Sequence, residues 1–112
     1  MTESRLGPDR NCGAPESRAV AARLAALSHP ARIEILKHLS ASNSCCCRDV
    51  VDHLDLAQST VSQHLKVLVE AGLVRFAPDR QRSRYELDHD ALAGVSASLA
   101  ALVNSCCADN KR

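Results

Sequence analysis

The chain has 112 residues, of which 46% are hydrophobic, 24% charged and 2% aromatic, and its net charge is +1. This length predicts one domain with a modest core of Leu, Val, Ala and Ile, a composition typical of packed helices and unlike that of a β-sandwich. The near-neutral total charge neither favours nor excludes a nucleic-acid partner, so local charge has to decide. We expect a folded domain at residues 15–107 between flexible tails at 1–14 and 108–112.

The cellular compartment follows from what the sequence lacks. We expect no membrane span, because no run approaches the roughly 20 apolar residues that a span needs. The polar start lacks the apolar core of a signal peptide, so a cytosolic protein without a membrane partner is expected. Six cysteines in a reducing compartment favour metal or metalloid ligation, or redox sensing, over a disulfide framework.

The first helix is expected to begin at Pro15. Its apolar residues Val20, Leu24 and Leu27 recur on one helical stripe. Alanines beside this stripe would let a second helix approach closely, which favours a dimer interface, and packing within one copy is the alternative.

The second helix is predicted from Ala31 to Leu39, with Ile33, Leu36 and Leu39 pointing inward. A polar loop then leads to Ser44, a residue type suited to cap the next helix.

A helix-turn-helix is predicted next. The segment Cys47–Leu54 reads as a short helix with Val50, Val51 and Leu54 inward, and a tight connection from Asp55 to Gln58 follows it. Two helices joined by so short a turn form this motif.

The second helix of the motif has two different faces, and it is predicted to end at Gly72 in a left-handed conformation. Its apolar stripe consists of Val61, Leu65, Leu68 and Val69. Its polar residues crowd the first two turns, where they could hydrogen-bond to base edges and phosphates in a major groove. An ordinary amphipathic surface helix is the alternative interpretation. The candidate DNA-binding residues here are Gln58, Ser59, Thr60, Ser62, Gln63, His64 and Lys66.

A basic β-wing follows. The pattern predicts a strand from Val74, a turn at Pro78-Asp79 and a second strand ending at Leu87. The fold class is therefore mainly α with a small β-hairpin, a winged helix-turn-helix. The basic residues of the wing, predicted to hold flanking phosphates or reach a minor groove, are Arg80, Arg82 and Arg84.

The last helix is predicted to be capped by Asp88 or Asp90. It carries one long apolar stripe, which heptad spacing extends to Cys106. The stripe consists of Leu92, Val95, Leu99, Leu102 and Val103.

The string Ser28-His29-Pro30-Ala31-Arg32 and the run from Leu56 to Val74 closely resemble the ArsR/SmtB family of bacterial metal-responsive repressors. The match covers residues from about 16 to 107. The resemblance implies a homodimer held by its first and last helices, which binds double-stranded operator DNA when ligand-free and releases it when ligand binds. An enzyme is not expected, since a thiol enzyme would need an anion-binding loop or a Cys-x-x-Cys on a βαβ unit, and neither is present.

The resemblance also suggests two cysteine sites. Family members sense arsenite with a Cys-x-Cys before an acidic and an aliphatic residue in the first helix of the helix-turn-helix. Here Cys45, Cys46 and Cys47 occupy that place, but Arg48 stands where the second ligand is expected. Other relatives carry a vicinal pair at the end of the last helix.

The sequence Cys106-Cys107 is similar to that vicinal pair. Zinc-sensing relatives use Asp and His along the last helix, and here Asp88 and His89 have no histidine partner further down, so zinc is not expected there.

Thiolates are soft ligands suited to trivalent arsenic and antimony. Arsenite and antimonite take three sulfurs and a monomethylated arsenical takes two. Adjacent helical residues point about 100° apart, so chelation by Cys106 and Cys107 requires the helix end to fray. The third ligand could be Cys12 or one of Cys45, Cys46 and Cys47, from either copy. The triplet is also a second possible site, because a first helical turn and the adjacent Arg48 favour a thiolate at Cys47.

The alternatives differ between the two cysteine sites. Three successive exposed cysteines would serve no packing need, whereas Cys106 could simply be a small apolar residue on the dimer stripe. We therefore predict a repressor of a metalloid-resistance operon, with As(III) or Sb(III) as inducer and no permanently bound cofactor. A redox- or sulfide-sensing repressor of the same fold and a cysteine-rich metal buffer are the alternatives.

Overall fold

The computed structural model describes residues 15–42, 44–78 and 83–110, with the backbone alone at 44, 45, 109 and 110. The predicted N-terminal tail, with Cys12, and the wing residues Asp79, Arg80 and Arg82 lie outside the described residues. The elements in chain order are α1 (Pro15–Leu27), α2 (Pro30–Ser42), β1 (Ser44–Cys46), α3 (Cys47–Leu54), α4 (Gln58–Glu70), β2 (Val74–Pro78), β3 (Ser83–Leu87) and α5 (His89–Asn110). This order confirms the winged helix-turn-helix.

The wing belongs to a three-stranded antiparallel sheet with the order β1-β3-β2. In its hairpin Phe76 lies opposite Tyr85, and the added strand β1 places Cys46 opposite Arg84. The predicted two-stranded hairpin is therefore present, but the sequence did not predict the third strand, β1. The prediction that Ser44 caps α3 is wrong, because Ser44 lies in β1 and the N-cap position is held by Cys46, with no side-chain cap.

The core lies between α2, α3, α4 and the sheet. The α4 stripe is confirmed, with Val61, Leu65 and Leu68 fully buried. In α2 the inward position predicted at Ile33 is wrong, since Ile33 is 43% exposed and Ile35 is fully buried. Residues 35 and 39 share one face at the i, i+4 spacing, and residue 33 lies about 200° round the helix from residue 35. The helix also runs on to Ser42, through most of the loop expected after Leu39.

Helix ends set the angles of the helix-turn-helix and the wing. Asp55 ends α3 in the left-handed region, with φ 57° and its backbone N–H donated to the Val51 carbonyl. Gly72 follows α4 with φ 82°, as predicted. Of the two predicted caps of α5, the structure selects Asp88, whose Oδ1 accepts the Ala91 N–H at 3.0 Å.

The last helix, α5, is 22 residues long and runs to Asn110, past the domain end expected at residue 107. Val95 is buried and Leu92 is partly buried against the core, whereas the C-terminal part of the stripe is exposed in the single chain, Leu102 by 54% and Val103 by 48%. The expectation that no segment approaches a membrane span needs correction, because His89–Ala108 is long and apolar enough by length and composition. The high hydropathy of this helix comes from its alanines and its exposed apolar stripe. Both features are also typical of a helix that is covered by a partner.

Candidate nucleic-acid interface and thiol sites

The N-terminal half of α4 presents a polar surface opposite its buried stripe. The helix-turn-helix holds this surface outward, since α4 packs against α2, α3 and β2 through its other side. Short polar side chains on an exposed helix start are suited to the edges of bases in a major groove. Six of the seven predicted residues are exposed here: Gln58, Ser59, Thr60, Ser62, Gln63 and Lys66.

His64, the seventh, has a different environment. It is half-buried, and its Nδ1 lies 3.2 Å from Arg32 Nη1. Its ring also lies against His29, with centroids 4.4 Å apart. Burial lowers the pKa of His64, and the charges of His29 and Arg32 lower it further. His64 therefore faces the junction of α1 and α2 rather than the exposed polar surface.

Of the three basic residues predicted in the wing, only Arg84 lies within the described residues. Arg84 lies half-buried on β3, beside the hairpin's ring contact between Phe76 and Tyr85, whose centroids are 5.4 Å apart. The exposed pair Arg75–Glu86 bridges the strands at 3.4 Å, an interaction of small energetic weight at such exposure.

The cysteine triplet borders the polar surface of α4. Cys47 Sγ lies 3.6 Å from Ser62 Oγ of α4, so the first residue of α3 is in direct contact with the second turn of α4. The expectation that the triplet is exposed is wrong: Cys46 is 5% exposed, and Cys47 is half-buried against the core. Pairing with β3 makes Cys46 part of an outer strand of the sheet. The side chain of Cys45 lies outside the described residues.

An open pocket of about 400 Å³ lies between the triplet, the start of α4 and β3. Burial raises the pKa of Tyr85, and the charge of Cys47 contributes in the same direction. Sequence reasoning missed this pocket, because its residues come from three separate stretches without a shared pattern. The lining residues are Cys46, Cys47, Arg48, Gln58, Ser62, Ser83 and Tyr85.

The C-terminal pair is separate. Cys106 and Cys107 are exposed near the end of α5. Helical spacing puts Cys106 on the stripe with Leu99 and Leu102, while Cys107 points about 100° away. Among the described residues no group of three Cys, His, Asp or Glu side chains is placed to hold a metal ion. The described part of one chain thus does not itself assemble a three-thiolate site.

Comparison with known proteins links this arrangement to bacterial gene regulation. The family model "Bacterial regulatory protein, arsR family" matches residues 29–75. The arsenical resistance operon repressor of Staphylococcus xylosus is 37% identical over 76 residues, which cover 68% of this chain and 72% of that protein.

Two solved structures share the fold. An ArsR-like transcriptional regulator from Rhodococcus sp. RHA1 superimposes with a TM-score of 0.74 at 23% identity, over 82% of this chain and 86% of the other. The homodimeric winged helix-turn-helix DNA-binding domain of a possible ArsR-family regulator from Mycobacterium bovis gives a TM-score of 0.67 at 22% identity, over 90% and 91%.

Proposed function

This chain belongs to the ArsR family of bacterial DNA-binding transcriptional regulators, and from that premise we propose that it represses a metalloid-resistance operon in the cytosol. In this proposal it leaves its operator when a trivalent metalloid, such as arsenite, antimonite or methylarsenite, binds its cysteine thiolates. The contact of Cys47 with Ser62, 3.6 Å apart, carries the proposal. It joins a candidate ligand directly to the helix proposed to read DNA.

The homodimer in this proposal is supported by the unpaired apolar surface of α5. Leu99, Leu102 and Val103 are each at least 40% exposed in the single chain. Beside them an apolar groove of about 420 Å³ runs between α1 and α5, lined in part by Val20 and Leu24. A second copy would cover this surface, and two α4 helices could then enter successive major grooves about 34 Å apart.

Metalloid binding at the triplet would act locally. Bonding of the Cys47 sulfur to arsenic or antimony would shift that sulfur relative to the Ser62 hydroxyl 3.6 Å away, and recruiting Cys46 would draw a buried residue of β1 out of the core. Binding at Cys106 and Cys107 would act through the dimer interface instead. Either route requires a coupling of about 1–3 kcal/mol to weaken DNA binding roughly 5- to 150-fold.

The test is a fluorescence anisotropy titration on the protein's own promoter DNA under reducing conditions, with each metalloid added. We expect release of the wild type. If Cys106→Ser with Cys107→Ser abolishes release, the C-terminal pair is the sensing site; if Cys47→Ser abolishes it, the triplet is. DNA affinity that no metalloid changes in the wild type would refute metalloid sensing.

Gln63 tests the groove assignment separately. Replacing Gln63 with Ala removes an exposed side chain able to make two hydrogen bonds to a base, and should weaken operator binding by about 1–3 kcal/mol. Ser40→Ala, at an exposed polar position on α2, is the matched control. Unchanged operator affinity of the Gln63 variant, with an intact dimer, would contradict the assignment.

A redox-sensing repressor remains the second candidate, because Cys106 and Cys107 are exposed and adjacent. Two thiols would form a disulfide while an oxidant such as a peroxide accepts two electrons and two protons. Mass spectrometry separates the two functions: oxidation leaves a covalent mass change, whereas metalloid binding is reversed by excess dithiol.

A further inference from the structure

The turn between α1 and α2 makes several contacts that the proposed function does not use. The His29 ring caps α2, since its Nδ1 accepts the Ala31 N–H at 3.0 Å. Ser28 Oγ donates to the Ala25 carbonyl at the end of α1 at 2.8 Å. The residues of the string Ser28–Arg32 therefore build this turn, and its last residue, Arg32, reaches beyond it.

Arg32 joins the end of α1 to the recognition helix. Its Nε donates to the Ala26 carbonyl at 2.6 Å, and its Nη1 donates to His64 Nδ1 at 3.2 Å. Carbonyls in the last turn of a helix lack intrahelical donors and carry negative partial charge. Ala26 is 3% exposed, so water offers its carbonyl little compensation. The hydrogen bond to the Ala26 carbonyl therefore anchors the Arg32 guanidinium at α1, while its second hydrogen bond binds His64 of α4.

A second arginine makes a similar contact at the C-terminal end of α4. Arg23, on α1, donates from Nε to the Ala71 carbonyl at 3.3 Å. Ala71 is the C-cap of α4, so this carbonyl also lies at a helix end. The side chain passes close to Gly72 and to Gly94 of α5, where a Cβ atom would lie 3.4 and 4.0 Å from its terminal nitrogens.

We propose that Arg32 and Arg23 are positioning residues that fix the orientation of α4 relative to α1. The proposal rests on the proposed DNA binding, and it goes beyond it by naming the contacts that set how α4 is presented. Because α1 borders the surface proposed for the partner copy, these arginines connect the proposed dimer interface to the middle of α4, at His64, and to its C-terminal end, at Ala71. Guanidinium groups only donate hydrogen bonds, so the Arg32 contact requires an unprotonated Nδ1 on His64.

A double-mutant cycle on operator affinity tests whether Arg32 acts through His64. We expect Arg32→Met to weaken binding roughly tenfold or more, as expected for loss of a charged hydrogen bond. In a chain that already carries His64→Leu, the same substitution should change affinity little. Additive effects, or no effect of Arg32→Met, would overturn the proposal. Lys37→Met, which removes an exposed charge from the same helix, is the matched control.

The salt dependence separates positioning from direct contact with DNA. Loss of a phosphate contact lowers the slope of log affinity against log salt concentration by about 1. We expect the slope to stay unchanged in Arg32→Met, since the side chain is engaged by Ala26 and His64. A reduced slope would mean that Arg32 binds phosphate itself, and would overturn the positioning role.

Hydrogen exchange provides a result that does not depend on DNA. Arg32→Met and Arg23→Met should each speed amide exchange in α4 relative to Lys37→Met, with the helical content unchanged. If the wild type fails to bind promoter DNA, the proposed function is wrong. Amide exchange in α4 then tests by itself whether the two arginines position this helix. Equal exchange in all variants would overturn it.

Discussion

His64 of α4, which faces the junction of α1 and α2, makes the stability of the fold depend on pH. The pKa of His64 is lowered from its ordinary value of 6.5 by burial and by the charges of His29 and Arg32. The unfolded chain therefore binds protons more readily than the folded one. The contribution of His64 to stability is complete above pH 6.5 and is lost as pH falls from that value through the folded pKa.

The loss of stability on acidification that is due to His64 can be measured with a substitution. In His64→Gln the free energy of unfolding should fall less than in the wild type as pH decreases below 6.5. Urea unfolding at a series of pH values measures it. The same series on His89→Gln, at the exposed start of α5, corrects for the loss of one histidine. If the free energy of unfolding of His64→Gln decreases as steeply below pH 6.5 as that of the wild type, His64 is not the group that causes the decrease.

Single residues also mark where sequence reasoning stops. The sequence identified His64 as a residue of the polar face, because position along the helix was the only information available. Its contact with Arg32 spans 32 positions and that of Arg23 with Ala71 spans 48, and no local pattern predicts such pairs. Ile33 and Ile35 are both apolar and close together, so the choice of inward position depended on packing.

At the scale of elements, two glycines beside Arg23 should respond in opposite ways to an added methyl group. Gly72 ends α4 with φ 82°, where alanine is strained, and we expect Gly72→Ala to lower the free energy of unfolding by about 1–2 kcal/mol. Gly94 lies inside α5, where a Cβ would be 4.0 Å from Arg23. Gly94→Ala should therefore raise the same quantity by roughly 0.5–1 kcal/mol.

Chemical denaturation of the two variants, with the dimer state held constant by protein concentration, makes this comparison. Similar effects from both substitutions would contradict the role given to the left-handed residue at the end of α4. Each glycine serves as the control for the other, because both neighbour the same guanidinium.

Helices with a clear apolar stripe were predicted well, and the shortest strand was not predicted at all. The α4 stripe at i, i+4 and i+7 fixed both the helix and its buried side. Strand β1 has three residues, two of them cysteines, and exists because Tyr85 and its neighbours lie opposite it. Such a strand has no period to detect, which explains why the sequence predicts a cap at Ser44 and an exposed cysteine triplet.

For the whole molecule, the exposed stripe of α5 should decide the oligomeric state. Leu102→Glu places a charge in the centre of the surface proposed for the second copy, and we expect a species near the single-chain mass of 12.0 kDa with weakened operator binding. Asn104 lies about 200° round the helix from Leu102, so Asn104→Glu adds the same charge on the opposite side and should remain dimeric.

Sedimentation or light scattering at matched concentration measures the mass of both variants. A dimer that persists in Leu102→Glu would exclude this face of α5 from the interface. A monomeric wild type would exclude the homodimer altogether, and with it the simultaneous occupation of two major grooves.

The unequal burial of the thiols has a consequence for the timing of any response. Cys107 is exposed near the end of a helix, whereas Cys46, in strand β1, is 5% exposed. A reagent in solution meets Cys107 at once, but it reacts more slowly with Cys46, whose burial makes attack depend on local opening of the structure around β1. A short pulse and a sustained exposure would then mark different cysteines, so the molecule could distinguish the duration of a thiol-reactive stress as well as its intensity.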